Sequence, residues 1–402
     1  MSESKKLIPR RRFKEFEKSK EFCQIEWQKL VERLTVMSSA HCLPRVEFED
    51  IISGQGELNK DVFKKINDKK GIEFKKGDIL FGKLRPYLKN WLYAGFDGIA
   101  VGDFWVFRPT FSNGEFIYAL IQTNQYQIVA NQSTGTKMPR SDWNIVSNTK
   151  FIVTTNKIEQ TKIGEFFKKL DNLINTQQKK LEKAKTLKSA YLREIFPSED
   201  EPKRRFIGSV GLWKQKEIIE IGKIFIGLVT TMTENYTNVG TLLIRNSDIK
   251  DNKFEFSDNP IYLKETFAQI NASRRLHIGD VVTVHTGDVG TSAVITKKEE
   301  NAIGFATINT RPNQNIITPE FLSVFLNSRK HKVYAKKMST GDGRSNYNLK
   351  DFNQLIVDLP HIAEQTKIGN FFKLLDDKIA LEQKKLAKLK NIKQAYLNEM
   401  FV

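Results

Sequence analysis

Five histidines, His41, His277, His285, His331 and His361, are the first candidates for catalysis, and they are scattered. No two have the spacing that would put both imidazoles on one metal. Glu73-Phe74-Lys75 has the Glu-x-Lys shape of a nuclease metal site, but the chain holds 65 lysines and arginines, so such triplets arise by chance. Gly135, Gly341 and Gly343 lack the GxxxxGK[ST] spacing that cradles phosphates. No GxGxxG follows a strand pattern, so a dinucleotide or methyl-donor fold has no fingerprint. Asp258-Asn259-Pro260-Ile261 is the nearest approach to the Asn/Asp-Pro-Pro-aromatic motif of amino-methyltransferases, and it lacks the second proline. His285 beside Thr286 has the groups for acid–base work, but a hydrogen bond to DNA or backbone explains it as well. We therefore expect no catalytic residue, no bound cofactor and no metal in this chain, and a binding and scaffolding role.

The charge says what is bound. A formal charge of +18 and a pI near 9.6 point to a polyanion, most simply nucleic acid. At 40% apolar the chain can build real cores. No apolar run approaches the ~20 residues that span a bilayer, and the start, MSESKKLIPRRRFKEF, has no signal-peptide core. Two cysteines, Cys23 and Cys42, form no disulfide framework and fit a reducing cytosol, so a cytoplasmic protein is expected. Residues 1–20 read as a basic segment, partly disordered, with Pro9-Arg10-Arg11-Arg12-Phe13 as its dense patch. Pro202-Lys203-Arg204-Arg205-Phe206 matches it, and Trp27 and Trp213 follow the two patches.

These matching patches belong to a larger internal repeat. Residues 159–196 return at 364–401 without a gap, with 24 of 38 positions identical. Each copy steps by three and four residues, as a long amphipathic helix does. In the first, Ile163, Phe166, Leu170, Leu173, Gln177, Leu181, Ala184, Leu187, Tyr191 and Ile195 follow the stripe. In the second, Ile368, Phe372, Leu375, Ile379, Leu386, Leu389, Tyr396 and Met400 do so. At ~1.5 Å per residue such a helix is roughly 57 Å long. A lone apolar seam of that length must be covered, and the other copy is the natural partner. We expect Ile163, Phe167, Leu170, Ile174, Leu181 and Tyr191 to pair with Ile368, Phe372, Leu375, Ile379, Leu386 and Tyr396.

The repeat extends to the globular parts. Gly77-Asp78 is answered by Gly279-Asp280, Arg108-Pro109 by Arg311-Pro312, and the helical stretch Phe116–Val129 by Phe321–Tyr334. Between these anchors the loops differ. Lys83, Arg85, Tyr87 and Lys89 in the first half stand where His285, Thr286 and Asp288 stand in the second. Ser133 to Ser141, with Lys137 and Arg140, stands where Ser339 to Tyr347, with Arg344, Ser345 and Asn346, stands. A common scaffold with dissimilar loops suggests two related sites that read different things. The boundaries read as 1–20, a basic segment; 21–155, a first domain; 156–198, a long helix; 199–360, a second domain; and 361–402, a second long helix. The fold class is α+β: two similar mixed α/β domains joined by two long helices that form a coiled coil.

The chain resembles the DNA-specificity subunit of type I restriction–modification enzymes over nearly its whole length. The resemblance rests on Gln160-Thr161-Lys162-Ile163 followed by Phe167, Leu170, Asp171 and Ile174, and on the copy from Gln365 to Ile379. It rests also on Gly77-Asp78-Ile79-Leu80 with Leu84-Arg85-Pro86-Tyr87, and on a Ser-Thr-Gly loop before each helix. Leu359-Pro360 supplies the usual pair ahead of the second helix; Phe151 to Thr155 stands in its place ahead of the first. The resemblance implies two target-recognition domains, each reading one half of a split, asymmetric DNA site. It implies that the helices pair antiparallel and act as a ruler between half-sites. Two methyltransferase subunits and the restriction–translocation subunits would be the protein partners. S-adenosylmethionine, ATP and magnesium would bind those partners, and this chain would have no activity alone.

Exposed basic residues suit phosphates and guanine, and asparagine suits adenine. The expected DNA contacts are Lys83, Arg85, Tyr87, Lys89, Lys137 and Arg140 in the first domain. In the second they are His285, Thr286, Arg344, Ser345, Asn346 and Tyr347. The alternative is a coiled-coil adaptor between proteins, without specific DNA recognition, whose charge serves solubility.

Overall fold

The computed structural model describes residues 8–18, 21–64, 68–132, 137–197, 202–209, 211–341 and 345–402. Arg344 and Ser133 to Thr136 lie outside them. The chain divides into two compact units, Met1–Lys180 with Gln383–Val402, and Leu181–Glu382. Each long helix, Lys157–Ile195 and Ile362–Met400, is thus shared between the units rather than standing as a segment of its own. No described helix is long and apolar enough to cross a membrane.

In the first unit four antiparallel strands lie in the order Val31–Leu34, Phe104–Pro109, Ile79–Gly82, Trp91–Tyr93. A second four-stranded sheet has the order Met37–Ser38, Gly71–Phe74, Gly98–Val101, Arg45–Glu47, its last pair parallel. The run Phe104-Trp105-Val106-Phe107 is apolar throughout because both of its faces are covered. Successive side chains alternate between faces. Trp105 and Phe107 join the core of Trp27, Phe81 and Tyr126, while Phe104 and Val106 join that of Phe74 and Leu80. The second unit repeats the frame with Gly222–Ile226, Thr307–Pro312, Val281–Val284 and Ser292–Val294. The single helix expected near 116–129 is two, Gly114–Leu120 and Asn124–Ala130, because the Thr123 hydroxyl caps a new start. Its counterpart divides likewise at Ser328, into Pro319–Leu326 and Arg329–Met338.

The paired anchors are pins inside each frame. Arg108 donates to both carboxylate oxygens of Asp78 at 2.9 and 2.7 Å, and Arg311 to both of Asp280 at 2.8 and 2.7 Å. Each aspartate also accepts from the backbone three residues earlier, at Lys75 and His277.

The repeated Glu-Gln-Thr-Lys-Ile-Gly motif fastens each helix to its own domain. Gln160 is fully buried, donating to the Thr154 carbonyl and accepting from the Asn113 N–H. Gln365 does the same with Pro360 and Thr318. Gly164 costs roughly 1 kcal/mol of helix propensity against alanine, but a Cβ there would lie 2.8 Å from the Phe116 backbone nitrogen. Gly369 faces Glu320 in the same way.

Within each unit the beginning of one long helix runs antiparallel to the end of the other. In the first, Phe166 meets the Tyr396 ring edge-on at 4.9 Å, Phe167 meets Phe401 at 5.9 Å, and Lys393 pairs with Asp171. Burial pushes the Asp171 carboxyl up and Lys393 opposes that shift. In the second, Tyr191 meets Phe371 at 4.9 Å and Lys188 pairs with Asp376. Of the seam residues, Ile163, Phe167, Leu170, Ile174, Leu181, Ile368, Phe372 and Leu386 are buried, while Tyr191, Leu375, Ile379 and Tyr396 are partly so. Ile163, Phe167 and Leu170 also complete the core around Trp27, and Ile368 and Phe372 that around Phe321. Leu173 and Leu187 leave the seam, at 54% and 43% exposure. Ile174, the residue after Leu173, takes the buried position instead.

The two basic patches are straps across each helix pair. Arg12 donates to Glu159 at 2.8 and 2.7 Å, Arg11 pairs with Glu399 and lies 4.9 Å over Tyr396, and Phe13 packs on Phe166. In the second unit Arg205 holds Glu364 at 3.1 and 2.6 Å, Arg204 pairs with Glu194 over Tyr191, and Phe206 packs on Phe371. Their charge is thus largely spent inside the protein. The Arg12–Glu159 side chains are 4% and 1% exposed, whereas Arg205 is 28% exposed. Arg12→Ala leaves a buried carboxylate unpaired and should cost the first unit about 3–5 kcal/mol. Arg205→Ala should cost the second unit less, since water reaches that pair. Urea unfolding resolves them: Trp27, Trp91, Trp105 and Trp143 report the first unit and Trp213 the second. Equal losses would contradict the difference in burial.

Candidate nucleic-acid interface

In the first unit the strand Ile79–Gly82 runs out into Lys83-Leu84-Arg85-Pro86-Tyr87-Leu88-Lys89. Pro86–Leu88 is one short turn set between two left-handed residues, Arg85 at φ 48° and Lys89 at φ 57°. Non-glycine residues rarely adopt that region, and such strain gathers at functional sites. The arrangement leaves Arg85, Tyr87 and Lys89 exposed. Residues 137–141 lie alongside. Leu84 and Arg140 form an antiparallel bridge, Arg85 N–H donates to the Pro139 carbonyl at 2.7 Å, and Ser141 N–H to that of Lys83 at 2.9 Å. Asp103 sits between the two segments, 3.1 Å from the Arg140 guanidinium and 3.7 Å from the Lys83 ammonium. Lys83 and Arg140 are thereby partly neutralised and fixed in place. Arg85, Lys89 and Lys137 have no ion-pair partner among the described residues.

The second unit builds the same junction from different residues. After the strand Val281–Val284 come His285 and Thr286, and beside them runs the segment ending in Ser345-Asn346-Tyr347. Thr286 and Asn346 form the bridge, Gly287 N–H donates to the Ser345 carbonyl at 3.0 Å, and Tyr347 N–H to that of His285 at 2.8 Å. The structure thus brings together the six residues expected in the first domain, and His285, Thr286, Ser345 and Asn346 in the second.

Among the described residues no group of three or more His, Cys, Asp and Glu side chains could hold a metal ion. Glu73 instead belongs to the strand Gly71–Phe74, where its N–H donates to Val36. Residues 211–391 match the family described as the Type I restriction modification DNA specificity domain. That stretch of the chain is thus similar to a type I DNA-specificity domain. A stretch of 166 residues, 40% of the chain, is 26% identical to the type I restriction enzyme EcoBI specificity subunit of Escherichia coli, and that match spans 35% of the relative's length. The fold is also similar to a crystal structure of a type I restriction–modification S subunit from M. genitalium. That structure is 14% identical, with 98% of this chain and 99% of the other covered at a TM-score of 0.65. A second chain, from work on assembly and conformational transition of the type I R-M system, is 18% identical over 94% and 97%, with a TM-score of 0.55.

Tyr347, expected among the readers, is not at the surface of the second unit. It is completely buried against Phe352 and His331, and burial drives its phenol pKa far up. A tyrosine in a polar loop looks exposed in the sequence; here it is the foot on which the loop stands. His331 lies beneath it, fully buried. Its Nδ1–H donates to the Leu326 carbonyl at 2.6 Å, and Nε2 is 3.4 Å from the Tyr347 hydroxyl. His285 carries little charge to offer a phosphate, since burial lowers its pKa below the usual histidine value. Two supports had no signal in the sequence. Asp103 shares the cations of the first junction, and Asn246 accepts the His285 N–H at 2.9 Å.

Burial lowers the His331 pKa to about 4, the bond to Leu326 opposing only in part. A depressed folded value means that the unfolded chain binds the proton more tightly. The stabilisation is therefore fully present above pH ~6.5 and is lost as pH falls towards 4, by about 3 kcal/mol. Chemical denaturation of the full chain at stepped pH, followed at Trp213, should show that loss in the second unit. It should be absent from His331→Gln; an equal slope in that variant would exclude His331 as its source.

Proposed function

We propose that this chain is the DNA-recognition subunit of a type I restriction–modification complex. Each unit reads one half of a split, asymmetric duplex site through its paired loops. What carries this reading is that one junction, a loop after the third strand of the frame bridged to a second loop, occurs in both units with different side chains. Identical scaffolds holding different polar groups suit two readers of two different sequences. Arg85, Lys89 and Lys137 supply phosphate contacts that set register, Lys83 and Arg140 lie pinned beside them, and Tyr87 adds an exposed ring. Ser345, Asn346, His285 and Thr286 serve the second half-site; Arg344, expected to join them, lies outside the described residues. The long helices set the spacing of the half-sites and, with neighbouring surface, receive two methyltransferase subunits; the restriction–translocation subunits join that assembly. Methyl transfer, ATP use and cleavage belong to those partners, with S-adenosylmethionine, ATP and magnesium bound there, and this chain works in the cytoplasm.

Salt tests the binding. Phosphate contacts release counterions, so affinity falls with a slope of about −0.9 per contact. Three contacts, from Arg85, Lys89 and Lys137, would weaken binding to random duplex DNA about fortyfold between 50 and 200 mM salt. The Arg85→Gln, Lys89→Gln, Lys137→Gln triple variant should lose most of that slope. Salt-independent binding, or none, would favour an adaptor between proteins.

A further inference from the structure

The junction in the second unit contains a linear hydrogen-bond relay. The Thr286 hydroxyl lies 2.8 Å from His285 Nδ1 and 2.9 Å from Asn346 Oδ1. It has one proton to give. Donating that proton to Asn346 Oδ1, it must accept from His285 Nδ1–H. His285 Nε2 then keeps a lone pair, and the Asn346 amide keeps its NH₂. Neither has a partner among the described residues. Turning the amide over reverses the whole relay. Asn346 Nδ2 would donate to Thr286, Thr286 to His285 Nδ1, and Nε2 would carry the proton beside a free Asn346 oxygen. In both arrangements the relay offers one donor and one acceptor, one at each of its two ends.

The frame around it is fixed. Asn246 accepts the His285 N–H at 2.9 Å and donates to the Ala306 carbonyl at 3.1 Å. Asn346 exchanges both backbone hydrogen bonds with Thr340, at 2.9 and 3.1 Å. Tyr347, the next residue, is anchored in the core. Burial keeps the His285 imidazole neutral near pH 7, so the pair does not turn into two donors.

The bases differ in what they show such a pair. In the major groove adenine presents the N7 acceptor beside the N6 amino donor; guanine presents two acceptors, N7 and O6; thymine and cytosine each present one polar group. We infer that His285, Thr286 and Asn346 form a specificity element that accepts adenine and rejects guanine at one position of the second unit's half-site. The inference rests on the DNA-recognition reading above and adds the base to it. None of the three residues is a fixed cation, so the element governs choice of base and leaves the salt dependence alone.

The test uses the full chain and a duplex selected from a random pool. Each adenine of the selected site is replaced in turn by 7-deazaadenine, which lacks the N7 acceptor, by purine, which lacks the amino donor, and by guanine. At one adenine all three should weaken binding about tenfold. Thr286→Val, which removes the hydroxyl with little change of shape, should bind adenine and guanine there within about twofold. Thr286→Ser should keep the discrimination. The other half-site, read in the same molecules, should be unchanged, which shows that both variants are folded. A selected site with no adenine of this kind, or one whose adenine preference survives Thr286→Val, overturns the inference. Failure of the wild-type chain to select any sequence overturns the DNA-recognition reading itself.

Discussion

The length of the two helices is the constraint on which the rest depends. A helix of 39 residues with an apolar stripe cannot leave that stripe in water, and one small domain cannot cover it. The chain divides the task. Each unit buries the beginning of one helix and the end of the other against its own core, with Phe167 and Phe401 in the first and Phe372 and Phe196 in the second. Straps, latches and the paired glycines follow from this. Arg12 and Arg205 cap the buried glutamates that start each helix, Gln160 and Gln365 tie those starts to the domains, and Gly164 and Gly369 let the backbones approach.

Once the helix ends and sheet frames are fixed, the loops between them are free to differ. Asp78–Arg108 and Asp280–Arg311 hold the same turn in both units, and the strand leaving that turn always delivers its loop beside the segment that precedes the last strand. In the first unit that place carries cations and a strained turn. In the second it carries a neutral relay of histidine, threonine and asparagine. One geometry thus presents two different sets of side chains, cations in the first unit and neutral hydrogen-bonding groups in the second.

The repeat, the paired anchors at Asp78, Arg108, Asp280 and Arg311, and the amphipathic period were legible in the sequence because each depends on local spacing or on a close copy about 205 residues away. Four things were not. The arginine-rich patches look like polyanion contacts, yet Arg11, Arg12, Arg204 and Arg205 pair with glutamates, three of them more than a hundred residues distant, which no local pattern announces. Tyr347 sits among polar residues and is buried only because His331 and Phe352 come from other elements. Leu173 and Leu187 fit a step of three or four that accommodates more positions than one face can hold. The burial of the Glu159 and Glu364 carboxylates in both units is likewise a tertiary fact.

The most direct test of two readers on one duplicated frame is to co-express the chain with the methyltransferase subunit of its system and map methylated adenines across the host genome. The expected result is one motif made of two unlike half-sites separated by a fixed run of unread base pairs. A single uninterrupted motif, or two half-sites of identical sequence, would contradict the assignment of one reading site to each unit.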